Sequence, residues 1–154
     1  MILLVHEFHA SKRLLRTVRS GPFHLQIDTA FPDVIRACAE PRPGQDGTWI
    51  TEEMILAYCE LHRLGHAHSV ECWQDGKLVG GLYGLLIGHM FFGESMFARV
   101  TDASKVALVH LIGWLMERHV PIIDCQQETR HLASFGARPI PRAQFVQIVT
   151  KLTG

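Results

Sequence analysis

Two short stretches set acids and amides directly against apolar residues: Gly93-Glu94-Ser95-Met96-Phe97-Ala98-Arg99 and Ile122-Ile123-Asp124-Cys125-Gln126. A carboxylate beside a buried run is costly unless it is paired or used. Two such places in one small domain mark a reaction centre. Asp124 and Gln126 stand two apart, so on a strand both would project to the same face. The other chemistries on offer are weaker. His66 and His68 would point to one side of a strand, but no third His, Cys or carboxylate follows at a recognisable ligand spacing. Cys125 suggests a thiol nucleophile with His66, His68 or His131 as base. A thiolate needs electropositive surroundings, and Asp124 next door works against it. No metal and no cofactor are expected.

Composition bounds the rest. The 154 residues suffice for one domain with a real core. The 15 basic and 15 acidic residues balance, which argues against non-specific coating of nucleic acid but leaves room for a local basic patch. Cys38, Cys59, Cys72 and Cys125 form no C-x-x-C pair, so zinc-ribbon and thioredoxin-type readings fail and a reducing compartment is expected. The opening residues are too short for a secretory signal, and the apolar stretch 78–93 is too short and too broken by glycine to span a bilayer. A soluble, cytoplasmic protein is the expectation.

The elements that must position these residues are readable. Residues 8–20 predict a helix with Ser11 as cap and Gly21-Pro22 as stop. A half-buried strand follows at 24–28, then a helix at 31–39 and a loop at 41–47. Thr51 caps a further helix that ends at Gly65. Segments 68–73, 78–87 and 90–92 read as an antiparallel meander turning at 74–77 and at Gly88-His89. A long helix at 102–119, a short buried strand at 121–125, a short helix at 129–135 and a last helix at 141–152 complete the chain. This order implies an α+β domain with a mixed central sheet flanked by helices.

Several blocks occur in a telling order: Gly47-Thr48-Trp49-Ile50-Thr51, Leu64-Gly65-His66-Ala67-His68-Ser69-Val70-Glu71, Val79-Gly80-Gly81-Leu82-Tyr83-Gly84, Gly93-Glu94-Ser95-Met96-Phe97, Ala103-Ser104-Lys105 and Ile123-Asp124-Cys125-Gln126. Together they resemble the leucyl/phenylalanyl-tRNA–protein transferase family, from about residue 25 to about residue 142. The resemblance implies an acetyltransferase-like (GNAT) catalytic domain. It implies transfer of Leu or Phe, and less well Met, from aminoacyl-tRNA to proteins beginning with Arg or Lys, which marks the product for degradation through the N-degron route. The domain expectation is a single aminoacyltransferase unit over 1–154, with a basic N-terminal helix in 1–22 and the GNAT-like core in 23–154. Family members also carry an extra N-terminal domain, with an aromatic residue that helps close the amino-acid pocket. Nothing before Leu25 resembles that domain.

The resemblance also implies roles. Gln126 would accept from and align the attacking α-amine, Asp124 would orient and polarise Gln126, and Glu94 would complement the cationic first residue of the acceptor. Trp49, Tyr58, Leu82, Phe91, Gly93, Ser95, Leu111 and Leu115 are expected at the amino-acid site. Leu111 and Leu115 stand where the family often has aromatic residues. Lys12, Arg13, Arg16 and Arg19 are expected to contact the tRNA acceptor stem; helical spacing puts Lys12, Arg16 and Arg19 on one face. Two alternatives compete. An acyl-CoA N-acetyltransferase would need a glycine-rich pyrophosphate turn, and Phe135-Gly136-Ala137 lacks the spacing. A non-catalytic module would bind peptide N-termini or tRNA without turnover.

Overall fold

The computed structural model describes residues 1–41, 49–126 and 130–154. Most of the expected loop at 41–47, the Gly47 and Thr48 of the first motif, and Thr129 lie outside them. Six strands form one mixed sheet: β1 (Ile2–Leu4), β2 (His24–Ile27), β3 (Ala67–Gln74), β4 (Lys77–Ile87), β5 (Met90–Ala98) and β6 (Ile122–Asp124), in the spatial order β1-β6-β5-β4-β3-β2. All neighbouring pairs are antiparallel except β5 and β6, which are parallel. The α+β class and the mixed sheet are as expected from the order of elements.

Local chemistry explains the elements. Helix α1 (Lys12–Ser20) starts where the Leu14 N–H donates to Ser11 Oγ at 3.1 Å and ends at Gly21. Helix α2 covers Phe31–Ala39. Helix α3 (Glu52–Arg63) is capped by Thr51, whose Oγ1 accepts from the Met54 N–H at 3.2 Å, and Glu52 and Glu53 sit at its positive end. Gly65 takes a left-handed conformation just beyond it (φ 89°). The β3–β4 hairpin turns through Asp75 and Gly76, both at positive φ, as a tight two-residue turn requires. Helix α4 (Ala103–Glu117) buries Val106, Leu108, Leu111 and Leu115 against one face of the sheet. Helices α2 and α3 cover the other face around Phe31, Ile35 and Tyr83. Short α5 (Arg130–Ala133) and α6 (Arg142–Thr153) close the chain, with Phe145 and Ile148 of α6 packed near Met90 and Ile122. The buried Glu71 carboxylate accepts from the Thr29 N–H at 2.9 Å, the Thr29 hydroxyl at 2.5 Å and the Ser69 hydroxyl, so it ties the β2–α2 turn to β3.

The sequence reading needs correction at three places. Strand β1 was not expected; its pairing with β6 across the sequence makes it a strand. A short 3₁₀ turn at Val5–Glu7 follows it, so the first α-helix begins at Lys12 and not at residue 8. Strand β5 runs on to Ala98, well past 92. This last difference shapes the molecule. Only Met90, Phe91 and Phe92 pair with β6, and β6 then stops, so the two parallel strands part company at Gly93. At the same point the β4–β5 register slips: Tyr83 faces Ser95 while Gly84 faces Gly93, which leaves Glu94 as the extra residue of a β-bulge.

Gly84 is held to glycine by contact, because a Cβ there would lie 2.6 Å from the Phe91 ring and would also strike the Phe92 carbonyl. Gly84→Ala is expected to lower stability by about 1–3 kcal/mol, read as a lower urea midpoint at unchanged slope. Ser11→Ala should cost about 1 kcal/mol through the lost cap, in the same assay.

Candidate functional site

Where β5 and β6 separate, the sheet, α4 and α5 enclose a cavity of about 80 Å³. Its wall is almost wholly apolar. Of the expected amino-acid site, Leu82, Phe91, Gly93, Ser95 and Leu111 line it, and Glu94 stands at its edge. The structure does not put Trp49, Tyr58 or Leu115 on the wall. Trp49 is 52% exposed. Leu115 is buried one helical turn beyond Leu111, in the core under α4. Tyr58 belongs to the opposite face, where its ring meets Tyr83 edge-on at 5.5 Å. Sequence reasoning missed Leu3, Met96, Leu108 and Leu132. Leu108 was within reach, three residues before Leu111 on one helix. Leu3 carried no signal, because its place depends on the pairing of β1.

The bulge at Glu94 brings its carboxylate beside Tyr58. Burial, the Glu94 charge and a hydrogen bond to Glu94 together push the Tyr58 phenol up to about 12. Tyr83 is fully buried and its hydroxyl has no hydrogen-bond partner among the described residues. Burial and the neighbouring acids raise its pKa as well.

The second motif differs from expectation in one respect. Strand β6 ends at Asp124, and Gln126 lies beyond it in the left-handed region at φ 62°. The same-face argument for Asp124 and Gln126 therefore does not apply. Instead the Gln126 N–H donates to Asp124 Oδ1 at 2.9 Å, which closes a turn over Cys125. The Cys125 N–H donates to the Met1 carbonyl at 2.9 Å, so β1 anchors this turn. Cys125 lines the cavity, and its two neighbours, Asp124 and Gln126, stand at the rim. Glu94 and the Gln126 turn thus border one cavity.

Burial, and then the Asp124 charge, push the Cys125 thiol up to about 11. It is protonated near neutrality and is a wall residue, not a nucleophile. His66 is exposed, while His68 Nδ1 lies 2.7 Å from Asp28 Oδ2 and the His68 ring packs 5.0 Å from Trp114. Among the described residues no three His, Cys, Asp or Glu side chains gather as metal ligands. On α1, Lys12, Arg16 and Arg19 are exposed and make no ion pair among the described residues. Arg13 leaves their company: its guanidinium lies 2.7 Å from Asp102 at the start of α4. The amides of Phe135, Gly136 and Ala137 all donate to carbonyls of α5, so that turn offers no cradle for a pyrophosphate. No helix among the described residues is long and apolar enough to cross a membrane.

Comparison with known proteins agrees with the ordered motifs. The family model for leucyl/phenylalanyl-tRNA protein transferase matches residues 2–150, a longer stretch than the 25–142 read from the motifs. The transferase of that name from Chromobacterium violaceum is 55% identical over 146 residues, which are 95% of this chain and 63% of that protein. The one from Dechloromonas aromatica is 54% identical over 154 residues, 99% of this chain and 66% of that protein. The chain thus spans a little under two thirds of the length of these curated relatives. Among solved structures, a conserved protein of unknown function from Bacteroides thetaiotaomicron superposes with a TM-score of 0.58 at 14% identity, covering 91% of this chain and 55% of that one. An aminoglycoside N-acetyltransferase also aligns, at a TM-score of 0.47 and 16% identity over 86% of this chain and 88% of that one. On the strength of the family match and these close relatives, the chain belongs to the leucyl/phenylalanyl-tRNA protein transferase family.

Proposed function

We propose that this chain carries the peptide-forming centre of an aminoacyl-tRNA–protein transferase. It moves Leu or Phe, and less well Met, from tRNA to the α-amine of proteins that begin with Arg or Lys. The observation that carries this reading is the apolar cavity bordered on one side by Glu94 and on the other by the Asp124–Gln126 turn. An apolar wall with no polar group to satisfy suits an aliphatic or aromatic side chain, whose burial is worth about 1.5–3 kcal/mol. A cytoplasmic location and entry of the product into the N-degron route follow from such substrates.

The chemistry asks little of the protein. The donor is an activated ester, and an α-amine titrates at about 7.7–8.0, so a useful fraction is neutral near pH 7. The amine nitrogen attacks the ester carbonyl, the tetrahedral oxyanion collapses, the C–N bond forms and the C–O bond to the terminal ribose breaks. The proton lost from nitrogen ends on the released ribose hydroxyl. Alignment of the two reactants supplies much of the rate, since effective molarities of about 10⁵ M or more are available to well-oriented pairs. Gln126 accepts an N–H of the amine and aims its lone pair. Glu94 faces the cationic first residue of the acceptor. Asp124 acts on Gln126 through the backbone: by accepting the Gln126 N–H it holds the left-handed turn that presents the amide.

Labelled Leu-tRNA and an Arg-initiated protein should yield labelled protein when this chain is added. A folded chain that leaves an intact donor untransferred would sink the proposal, and binding without transfer would favour a non-catalytic module. Gln126→Ala should lower kcat by about 100-fold, the size of losing one well-placed polar group in the transition state, with the donor KM little changed. Asp124→Ala should lose activity on a similar scale. Asp124→Asn keeps an acceptor for the Gln126 N–H and should lose far less; equal losses in the two variants would mean that the negative charge, not the turn, matters.

A further inference from the structure

Lys105, from the motif Ala103-Ser104-Lys105, has no part in the transfer step described above, yet it sits beside the cavity. It lies one helical turn before Leu108 on α4, so the two share a face, and Leu108 lines the cavity. On α5, His131 directly precedes Leu132, which lines the same cavity. Lys105 and His131 therefore meet at one end of it. Burial, and then the Lys105 charge, lower the basicity of His131, so its ring is neutral near pH 7. Its Nε2 is buried and has no hydrogen-bond partner among the described residues. A buried ring nitrogen left unbonded is costly and calls for an occupant.

The local charge identifies the kind of occupant. Asp102 is the one acid at this corner that the ion pairs name, and it is shared. Its Oδ2 meets Arg13 at 2.7 Å, while Lys105 reaches its Oδ1 only at 3.7 Å. One carboxylate thus faces two cations next to the positive end of α4. Arg13 belongs to α1, whose exposed Lys12, Arg16 and Arg19 continue the positive charge outward. The cations run as a track from the outer face of α1 to the cavity.

The geometry points to a phosphate-binding subsite made by Lys105 and His131, which holds the phosphodiester just before the RNA nucleotide that carries the esterified amino acid. Lys105 supplies the counter-charge and His131, in its Nε2–H tautomer, donates a hydrogen bond. The subsite fixes the end of the RNA chain so that its ester lies over the cavity. This inference rests on the transfer reading of the site.

The test compares two stable donors bound by the whole chain: tRNA bearing Leu through a 3′-amide, and the same leucyl linkage on adenosine with no phosphate. Lys105→Met should weaken the tRNA about tenfold and make its salt dependence shallower by about 0.7 in the log–log slope, the share of one phosphate on a single strand. Its affinity for leucyl-adenosine should equal that of the wild type. His131→Phe should weaken only the tRNA, and His131→Gln, which restores an N–H donor, should recover part of the loss. The urea midpoints of the variants confirm that they are folded. Equal weakening of both donors, or no change with tRNA, overturns the subsite. Inorganic phosphate that competes equally against both donors does so too. A wild-type chain that binds neither donor overturns the transfer reading itself.

Discussion

The parting of two parallel strands governs this structure. Strands β5 and β6 share three residue pairs and then separate, because β6 ends at Asp124 while β5 continues to Ala98. A parallel pair that opens in this way leaves a wedge that neighbouring helices cannot fill flush. Here α4 and α5 roof the wedge with leucines, and the result is an apolar cavity in the middle of the molecule. The polar groups of interest stand where each strand departs from regular geometry. Glu94 is the extra residue of a bulge, and Gln126 occupies the first left-handed position after β6. Both irregularities turn a side chain to a place that a regular strand would not reach.

The electrostatics divide the site into two parts. Around Glu94 and Tyr58, and at Cys125, burial and acidic neighbours keep protons on the phenol and the thiol. That interior favours neutral chemistry, in which a neutral amine meets an ester without a protein nucleophile. At the α1–α4 corner the balance is cationic. The same Arg13–Asp102 pair that fastens α1 to α4 lowers the Asp102 pKa, mainly through the hydrogen bond from Arg13. A structural ion pair thereby also sets the direction in which the basic helix faces.

Much of this was legible in the sequence, for physical reasons that can be named. The caps Ser11 and Thr51, the Asp75-Gly76 turn and the stop at Gly65 announced their elements, because each depends on a local hydrogen bond or a positive φ. Glu94 and the Asp124 motif stood out as polar groups against apolar runs. What was not legible depends on partners far away in the sequence. Strand β1 is three apolar residues whose identity as a strand comes only from β6. The Glu94 bulge arises from register with β4, and no pattern within β5 reveals it. Tyr58 fitted the motif for the amino-acid site, but which side of the sheet it serves is decided by where α3 packs.

The dependence of this site on β1 has a kinetic side. The meander of β3, β4 and β5 joins neighbours in the chain and can form early, whereas Ile2 pairs with Asp124 and Met1 accepts from Cys125 only after a very long loop has closed. Leu3, a wall of the cavity, arrives with that closure. The centre is thus the last part to mature, and release of a three-residue edge strand is an inexpensive sub-global opening. In native-state hydrogen exchange, amides of β1 and of the turn at Cys125 would trade their protons together, well ahead of those in the meander.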